Sequence, residues 1–377
     1  MPDKHLHIIS FDIPYPPNYG GVIDVYYKIR TLHRLGIKIH LHCFEYPGRD
    51  RSTELNSLCE EVFYYPRKTG LRSAFSFKPY IVTSRKSEVL MANLLKDDYP
   101  VLFEGLHSCY YIDDPRLRNR MKIYRESNIE HRYYFNLFKV DANFRNRIYF
   151  LLASAKLRLY QKVLRNADLM LAVSQHDTDY LQQHFPGKNI YHLPSFHANN
   201  NVSVLPGKGD YALYHGNIEV PENEFAATYL VTKVFDGLDI PLIIAGMKPR
   251  DKFVKLAESR PNIMVVANPD DEKMFDLIRN AQVNILVTFQ ATGLKLKLLN
   301  TLYNGRFCLV NEPMIKGTSL DALCETGNTS EELRTKLKEL FSEEFTLDEV
   351  NSRAEFLKER YDNLVNGQRM IGLIYKP

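Results

Sequence analysis

The sequence predicts an α/β protein built on two doubly wound parallel sheets. Short apolar runs alternate with amphipathic stretches along most of the chain, which is the pattern of strands and crossover helices. The alternation lapses once, between residues 196 and 210, and then starts again. With 377 residues, the chain is long enough for two domains that each bury a core of their own.

We therefore expect a first domain over residues 1–195, a linker over 196–210 and a second domain over 211–345. The linker region, SFHANNNVSVLPGKGD, is rich in Asn, Ser, Gly and Pro and has no hydrophobic period. Residues 346–377 are predicted to form C-terminal helices that pack back toward the first domain.

The first domain begins with a β-α-β unit. HLHIISFDI and IKIHLHCFEY are predicted strands, and VIDVYYKIRTLHRLG is the predicted helix between them, closed by Gly36. Three more short β-rich runs follow, PVLFEGL, MKIYRES and ADLMLAVS, with helical segments between them. This order favours a parallel sheet that is covered on both faces.

In the second domain, five strands alternate with four helices. The predicted strands are YALYHGNI, PLIIAGM, IMVVANP, VNILVTF and FCLVN. The helices are predicted over residues 223–235, 252–258, 271–280 and 294–304. The closing runs SEELRTKLKELF and LDEVNSRAEFLKERYDNLVNG predict two amphipathic surface helices, one in each run.

Charge is distributed unevenly between the two halves. Residues 1–195 contain 28 Lys and Arg against 20 Asp and Glu, a net charge of +8, and residues 196–377 contain 21 against 25, a net charge of −4. A basic first half indicates an anionic partner such as a phosphate, a lipid headgroup or nucleic acid. Solvated surface charge without a partner is the alternative.

The five cysteines are an odd number and have no CxxC spacing, which argues against a disulfide scaffold and against a zinc ribbon. The first residues, MPDKHLHIISFDIP, do not have the pattern of a signal peptide, and no apolar run approaches the roughly 20 residues of a membrane span. We expect a reduced, cytoplasmic protein.

Ligands of an open parallel sheet bind beyond the carboxyl ends of its strands, so candidate residues are sought there. The first strand is followed by PYPPNYGG, and Gly20 and Gly21 open the next helix. Adjacent glycines at a helix N-terminus let backbone N–H groups approach an anion. A plain turn is the alternative. The G-x-G-x-x-G fingerprint of dinucleotide-binding enzymes is absent.

Two further strand ends of the first domain carry polar side chains. Glu104 and His107 end PVLFEGLH, where either can contact a sugar or transfer a proton, although a lone histidine is more often structural. Arg125, Glu130 and His131 belong to RESNIEH, after the next strand. A network of caps and salt bridges explains part of that polar segment.

The most informative stretch is TFQATGLKLKLLNTLYNGR, which runs from the end of a strand into a helix. Thr292 and Gly293 form the predicted turn, and Lys295 and Lys297 fall in the first helical turn. Lysines there oppose the helix dipole unless an anion such as a diphosphate compensates them. Asn300 lies three residues after Lys297 and shares its helix face. Solvent-facing lysines on a capped helix are the alternative.

Three other strand ends of the second domain are weaker candidates. AGMKPR offers Lys248 and Arg250 for phosphates, VANPDD offers Asn268 and main-chain groups for a base edge, and HGNIEVPENE offers Gly216 and Asn217. Each one taken singly is as consistent with an ordinary turn or cap as with a ligand contact.

Together these segments resemble the retaining glycosyltransferases of the GT-B fold, in the large family 4 (glycosyl transferases group 1). The markers are PPNYGG, ADLMLAVS, YHGNIEVPEN and GLKLKLLNTLYNG, the last similar to the family block G-x-x-x-K-hydrophobic-x-E-A-x-x-x-G. RESNIEHRYY resembles the HN-x-E-x-x-Y stretch of a subset of these enzymes. The resemblance covers nearly the whole chain and implies two Rossmann-like domains that face each other across a deep cleft.

The resemblance also implies roles for the candidates. The second domain would hold a nucleotide diphosphate sugar and the first an acceptor, with Gly20 and Gly21 near the donor and His107 near the transferred sugar. Lys297, with Lys248 or Lys295, would balance the diphosphate, and neither a metal nor a further cofactor is implied. The paired glutamates of the family fall on Thr292 and Asn300, and the Asn300 amide is a weaker acceptor of ribose hydroxyls than a carboxylate.

We therefore expect a metal-independent retaining glycosyltransferase that acts on a glycan or lipid-linked acceptor in cell-surface polysaccharide or glycoconjugate synthesis. The alternatives are a non-catalytic sugar-nucleotide-binding protein or partner subunit and a nucleotide-sugar epimerase; nucleic-acid binding is the weakest reading. The basic segment 136–165, with interleaved Phe, Tyr and Leu, is a candidate for peripheral contact with the inner face of the membrane. Simple packing of its apolar face on the sheet is the alternative.

Overall fold

The computed structural model describes residues 3–46, 48–70, 76–141, 143–289 and 296–375. These residues form two compact units. The first contains the described residues between 3 and 198 together with 361–375, and the second contains those between 199 and 289 together with 296–360. Each unit is built on one parallel sheet with a core of its own.

The sheet of the first unit has seven strands in the order β3-β2-β1-β4-β5-β6-β7, all parallel. Because β1 pairs with β2 on one side and with β4 on the other, the winding direction reverses there, and such a switch point is where open sheets bind ligands. The strands are β1 Lys4–Ser10, β2 Ile37–Glu45, β3 Glu61–Pro66, β4 Val101–Glu104, β5 Lys122–Glu126, β6 Leu169–Ala172 and β7 Asn189–His192.

Seven helices connect and cover these strands within the described part of the chain. They are α1 Gly20–Arg34, α2 Thr53–Leu58, α3 Tyr80–Thr83, α4 Glu88–Leu94, α5 Glu130–Val140, α6 Phe144–Tyr160 and α7 Gln175–His184, with 3₁₀ turns at Leu106–Tyr111, Pro115–Leu117 and Gln161–Asn166. Successive residues of β1 point to opposite faces of the sheet, so Ile8 packs in one core cluster and Ile9 in the other.

The second sheet has six parallel strands in the order β10-β9-β8-β11-β12-β13, and its switch point lies between β8 and β11. Its strands are β8 Ala212–Asn217, β9 Leu242–Met247, β10 Ile263–Ala267, β11 Val283–Leu286, β12 Phe307–Val310 and β13 Glu325–Thr326. The helices are α8 Pro221–Tyr229, α9 Asp251–Glu258, α10 Asp271–Asn280, α11 Leu296–Asn304, α12 Glu312–Ile315, α13 Ser330–Ser342 and α14 Leu347–Tyr361. Shorter turns lie at Leu230–Val234, of π type, and at Asp321–Leu323. The predicted fold class, two doubly wound parallel sheets, is confirmed.

Two helix predictions need correction. The helix expected over 223–235 starts at Pro221 and gives way to the π turn after Tyr229. The last run was expected to form one helix and instead forms two, because the Asp362 side chain accepts a hydrogen bond from the Val365 N–H and caps a new helix, α15 Asn363–Ile374.

Helix α15 completes the core of the first unit. Met370 and Ile374 are buried in the cluster that contains residues of β1 and α1. Gly367 lies so close to α1 that a Cβ atom there would come within 2.7 Å of Leu35 and 2.8 Å of Thr31. The Tyr375 hydroxyl then donates a hydrogen bond to the His5 carbonyl at 2.6 Å. The end of the chain is therefore tied to its first strand.

A ladder of histidines runs across β1 and β2. The His7 Nε2 contacts both oxygens of the Asp97 carboxylate at 3.0 Å, and the His7 Nδ1 lies 2.8 Å from the His42 Nε2. The His42 Nδ1 lies 2.8 Å from the Tyr65 hydroxyl, which accepts from Asn93. Because the carboxylate only accepts, His7 donates to Asp97, His42 donates to His7 and Tyr65 donates to His42. Each hydrogen bond of this ladder therefore has one donor and one acceptor while both imidazoles are neutral.

A membrane-spanning helix is not found: within the described residues, no helix is both long and apolar enough to cross a bilayer. The cysteines Cys43, Cys59, Cys109, Cys308 and Cys324 are all free thiols.

Candidate functional site

The loop between β1 and α1 presents an open helix N-terminus. Tyr19 occupies the N-cap position without a side-chain cap, and the first turn of α1 contains no acidic residue. A Cβ atom on Gly21 would lie 2.7 Å from the Phe11 ring, so glycine lets that ring approach the helix. The first-turn N–H groups of Gly20 and Gly21 are therefore placed as an anion site would require.

This loop is held in place by two side chains that the sequence analysis did not single out. Asp12 accepts hydrogen bonds from the Tyr19 hydroxyl at 2.6 Å and from the backbone N–H of the next residue at 2.7 Å. Arg49 donates to the Pro16 carbonyl at 2.6 Å and to the Asn18 side chain at 2.8 Å. An aspartate two residues after a strand was the only signal in the sequence that pointed to this arrangement.

His107 lies beyond the end of β4, where the sequence predicted it. Gly105 has φ of 67° and no Cβ, which makes room for the ring, since a Cβ there would lie 3.3 Å from the His107 Nδ1. That nitrogen is buried without a hydrogen-bond partner among the described residues and lies 3.6 Å from the Glu130 Oε1. Burial, with the nearby cations Arg85 and Arg67, holds the pKa of His107 well below its usual value, so the ring is neutral.

Two carboxyl groups at this edge of the sheet, those of Glu130 and of Glu126 at the end of β5, have raised pKa values. Burial raises the pKa of Glu130 to about 8, against the opposing charge of Arg85. Burial, with Asp177 and Glu130 close by, raises the pKa of Glu126 well above its usual value, and the Glu126 Oε1 has no hydrogen-bond partner among the described residues. A neutral imidazole and two neutral acids thus gather at this edge of the sheet, which suits hydrogen bonding to hydroxyl groups.

Glu104 and Arg125, predicted to contact an acceptor, lie instead inside a buried ion network. Lys28 bonds Asp24 at 2.9 Å and Glu104 at 2.6 Å, and Arg125 pairs with Asp24 at 3.1 Å and donates to the Leu193 carbonyl at 2.6 Å. The side chains of Lys28 and Arg125 are completely buried and that of Glu104 is 2% exposed. Their side chains are paired with one another within the first unit, and the acceptor contact expected of Glu104 and Arg125 stays a prediction.

His131 does not join the group around His107. Its ring lies 5.8 Å from the Tyr180 ring, and its carbonyl accepts a hydrogen bond from Ser154 at 2.7 Å. Burial and the neighbouring Arg132 lower the pKa of His131 to about 4. Of the two adjacent residues predicted to contact an acceptor, the structure brings Glu130, and not His131, to His107.

In the second unit, Lys297 lies at the beginning of α11, close to the carboxyl end of β8. The ammonium group is 3.3 Å from the Asn223 Oδ1 and 5.2 Å from the centre of the Tyr214 ring. His215 is buried beside it and its Nε2 lies 2.9 Å from the Thr301 hydroxyl. Burial and the Lys297 charge lower the pKa of His215 to about 3, so Lys297 is the cation of this strand end.

The strand end around Gly216 and Asn217 depends on a close approach of β8 and β9. A Cβ atom on Gly246 would lie 1.9 Å from the Gly216 carbonyl oxygen, so only glycine fits at position 246. Asn223 donates to the Asn217 carbonyl at 2.8 Å, and the same Asn223 side chain accepts from Lys297. Asn223 therefore links β8, α8 and α11 at this edge, a role that the sequence analysis missed.

Lys248 and Asn268 follow the ends of β9 and β10 and are joined by a hydrogen bond from backbone to side chain. Both adopt positive φ, 47° and 52°, and the Lys248 N–H donates to the Asn268 Oδ1 at 2.8 Å. The Lys248 side chain is 64% exposed and pairs with Glu219 at 3.3 Å, and Arg250 pairs with Glu224 at 3.0 Å. These cations stand at the sheet edge but already have carboxylate partners in the second unit.

Asn300 lies on the same face of α11 as Lys297. Its amide oxygen accepts a hydrogen bond from the Asn304 side chain at 3.0 Å, and Asn304 also donates to Asn199 at 2.9 Å. Three predicted donor contacts, Thr292, Gly293 and Lys295, lie outside the described residues. Among the residues that the structure does describe, no three His, Cys, Asp or Glu side chains are grouped so that they could hold a metal ion.

Comparison with known proteins identifies the fold. No protein-family model matches the sequence. An uncharacterized 44.6 kDa protein in the cps region of Klebsiella pneumoniae is 25% identical over 336 residues, which cover 82% of this chain and 84% of that protein.

Three solved structures show the same architecture along the whole chain. Sucrose-phosphate synthase from Thermosynechococcus elongatus matches with a TM-score of 0.70 and 14% identity over 98% of both chains. HepE from Anabaena, in complex with UDP and glucose, matches with a TM-score of 0.66 and 11% identity over 99% of both chains. A TarM variant from S. aureus was solved with Fondaparinux, alpha-GlcNAc-glycerol and UDP. It matches with a TM-score of 0.65 and 9% identity over 99% of this chain and 100% of TarM. The fold of this chain is therefore the GT-B fold, with two Rossmann-like units.

Proposed function

We propose that this protein is a glycosyltransferase that uses a nucleotide diphosphate sugar as its donor, with a UDP-sugar as the first candidate. HepE was solved with UDP and glucose, TarM with UDP and a GlcNAc derivative, and a further match at TM-score 0.60 is a trehalose-phosphate synthase described as UDP-forming. These names describe what the similar proteins bind or form, and they support the same donor class for this chain.

The observation that carries the proposal is the position of Lys297. A lysine in the first turn of a helix opposes the helix dipole, and this one is half-buried at the switch point of the second sheet. A diphosphate bound there would meet the Lys297 ammonium group. Lys248 would supply a second cation by exchanging its Glu219 partner for a phosphate. In this scheme, protein cations balance the diphosphate charge, and no metal is needed.

For the chemical step, we propose retention of configuration at the transferred carbon. The leaving phosphate would accept the proton of the acceptor hydroxyl on the face from which it departs, and fixed donors would stabilise the charge that develops on it. Asn300 would accept a ribose hydroxyl through its amide oxygen in place of a carboxylate. In the first unit, neutral His107 and protonated Glu130 would orient sugar hydroxyl groups.

The acceptor that we propose is a glycan or a lipid-linked glycan of cell-surface polysaccharide or glycoconjugate synthesis. TarM was solved with Fondaparinux and a glycerol-linked sugar, and such ligands support a carbohydrate acceptor for this chain. In the first unit, neutral His107 and protonated Glu130 offer hydrogen-bond partners that suit the hydroxyl groups of a carbohydrate.

The second candidate is a GT-B protein that binds a sugar nucleotide without transferring the sugar. Asn300 favours it, because the resembled family has a carboxylate at this position. Both candidates predict that UDP raises the unfolding temperature, since a ligand of the native state stabilises it by mass action. Only the transferase predicts slow release of UDP from a UDP-sugar in the presence of water alone.

The test compares the wild type with Lys297→Ala and with Lys338→Ala, an exposed lysine of α13. We expect UDP to raise the unfolding temperature of the wild type and of Lys338→Ala, and to have little effect on Lys297→Ala. UDP-sugar hydrolysis should fall at least tenfold in Lys297→Ala. Thermal shifts without hydrolysis would favour the binding protein. An equal response of all three proteins would overturn the assignment of the donor site to Lys297.

A further inference from the structure

Helix α6 is apolar on two opposite faces. One face packs on the first unit: Leu157 belongs to its core, Ser154 bonds the His131 carbonyl, and the Phe150 ring lies 5.9 Å from that of Tyr134. The opposite face exposes large apolar side chains at helical spacing, which we call the apolar stripe: Phe144 72%, Ile148 46%, Leu151 42%, Leu152 61% and Leu159 68% exposed.

A continuous exposed stripe of this kind is unusual for a helix of a globular protein. Spacings of four, seven, eight and fifteen residues from Phe144 put the five side chains on one side of the helix, away from Leu157. Single exposed apolar residues need no explanation, but a row of them over about 23 Å of helix does. The stripe therefore indicates a surface that meets an apolar phase.

Cations border the apolar stripe on both sides. On a helical projection, Arg145 and Lys156 follow one border, and Arg158 follows the other; all three are exposed. The segment 130–165, which contains α5, α6 and most of the following 3₁₀ turn, has eight Lys and Arg against two Asp and Glu. On the adjoining helix α5, Tyr133 and Phe135 are 37% and 39% exposed. Apolar residues flanked by cations and accompanied by aromatic rings are the composition of helices that lie in a membrane interface.

The charge distribution also selects among possible occupants. A second copy of this chain on the stripe would bring the cationic borders of two molecules together, and like charges repel. An anionic bilayer, in contrast, accepts the apolar side chains at its acyl boundary while its phosphate groups meet both borders.

We propose that the apolar stripe of α6 docks this protein on the surface of a membrane that contains anionic phospholipids. This attachment does not depend on the donor chemistry proposed above. The helix lies parallel to the bilayer, with Leu152 and Leu159 in the acyl boundary and Arg145, Lys156 and Arg158 at the phosphate level. Docking would hold the first unit where a lipid-linked acceptor is found.

The test is co-sedimentation of the full chain with vesicles of phosphatidylcholine alone and of phosphatidylcholine with a one-third share of phosphatidylglycerol. We expect binding to the anionic vesicles that weakens as salt is added, and at least tenfold weaker binding to the neutral ones. Leu152→Gln with Leu159→Gln should lower the binding to anionic vesicles at least tenfold, and Arg145→Gln with Arg158→Gln should lower both the binding and its salt dependence.

Leu347→Gln is the matched control, because Leu347 is 61% exposed, as Leu152 is, but belongs to the second unit. It should bind vesicles as the wild type does, and unchanged circular dichroism of every variant will show that each one is folded. The proposal is overturned if the wild type fails to sediment with anionic vesicles at low salt, or if the leucine pair binds as tightly as the wild type. A dimer that dissociates in the leucine pair would overturn it in favour of a second copy. No sugar nucleotide is present, so the outcome is independent of the donor proposal.

Discussion

The Nδ1 atom of His107 and the Oε1 atom of Glu130 lie 3.6 Å apart, and the nitrogen has no other polar contact in the described structure. With its pKa raised to about 8 by burial, Glu130 is protonated at neutral pH and can donate to the His107 Nδ1 as the two groups close up. The His107 Nε2 then carries the single proton of the neutral ring. When Glu130 ionises, the tautomer reverses and Nε2 becomes an acceptor. The protonation state of one carboxyl thus decides what the imidazole offers to a ligand.

The first prediction concerns the pH dependence of stability that Glu130 causes. An acid whose pKa is higher in the folded than in the unfolded protein stabilises the fold below its unfolded pKa, near 4.5, and this stabilisation is lost as the pH rises through about 8. Glu130→Gln should therefore lose less free energy of unfolding between pH 5 and pH 9 than the wild type does, as urea titration at both values will measure. Glu88→Gln, at an exposed position of α4, is the control and should follow the wild type. Parallel curves for Glu130→Gln and the wild type would contradict the raised pKa.

The second prediction concerns acid. His7 and His42 are neutral in the folded protein because burial lowers their pKa values, that of His7 to about 4. The unfolded chain takes up protons below about pH 6.5, so the stabilisation is complete above that value and is lost as the pH falls toward 4. For His7 the loss of free energy of unfolding amounts to about 3 kcal/mol, because its pKa falls from 6.5 to about 4 and one pKa unit corresponds to about 1.4 kcal/mol. Urea titrations of the wild type at pH 7.5 and 4.5 will measure it.

In the variant His7→Gln with His42→Gln, the free energy of unfolding should be lower at pH 7.5 but should change less on acidification. His33→Gln replaces an exposed histidine of α1 and should keep the wild-type slope. Imidazole resonances of His7 and His42 that titrate near pH 6.5 in the folded protein would count against the neutral ladder.

The third prediction separates a structural role of Glu104 from a role in acceptor binding. Removing one member of a buried ion network leaves an uncompensated charge, which costs about 3–5 kcal/mol. Glu104→Gln leaves Lys28 with a single carboxylate, so the free energy of unfolding should fall by about that amount in chemical denaturation. If the folded fraction keeps the wild-type KM for an acceptor, the structural role stands. A variant of normal stability with a raised acceptor KM would instead restore Glu104 as a ligand contact.

Much of the fold could be predicted from the sequence because the local periodicity of apolar residues indicates most of its strands and helices. Of the thirteen strands that the structure describes, ten were predicted as short apolar runs, whereas β3, β7 and the two-residue β13 were not. The reversals of strand order beside β1 and β8 are typical of doubly wound parallel sheets. The break between α14 and α15 at Asp362 was not predicted, because the helical spacing of apolar residues continues through this cap residue. There, one local hydrogen bond overrides a periodic pattern.

The candidate site was predictable only in part. Lys297 and His107 were proposed because strand ends are where parallel sheets place functional groups, and the structure shows both at such ends. The burial of Arg125 was not predictable, because its partner Asp24 lies 101 residues away and no pattern along the chain links the two. Likewise, nothing in the sequence distinguishes Glu130 from His131, since only the packing of α5 decides which of the neighbours faces His107.

Helix α15 has a consequence for the order in which the protein can fold during its synthesis. The core of the first unit receives Met370 and Ile374, which leave the ribosome after all of the second unit has been made. The surface of α1 that α15 covers therefore stays exposed while the second unit is translated. The core of the first unit is complete only after α15 has packed on it. The contacts that α15 and Tyr375 add to the first unit are with α1 and β1.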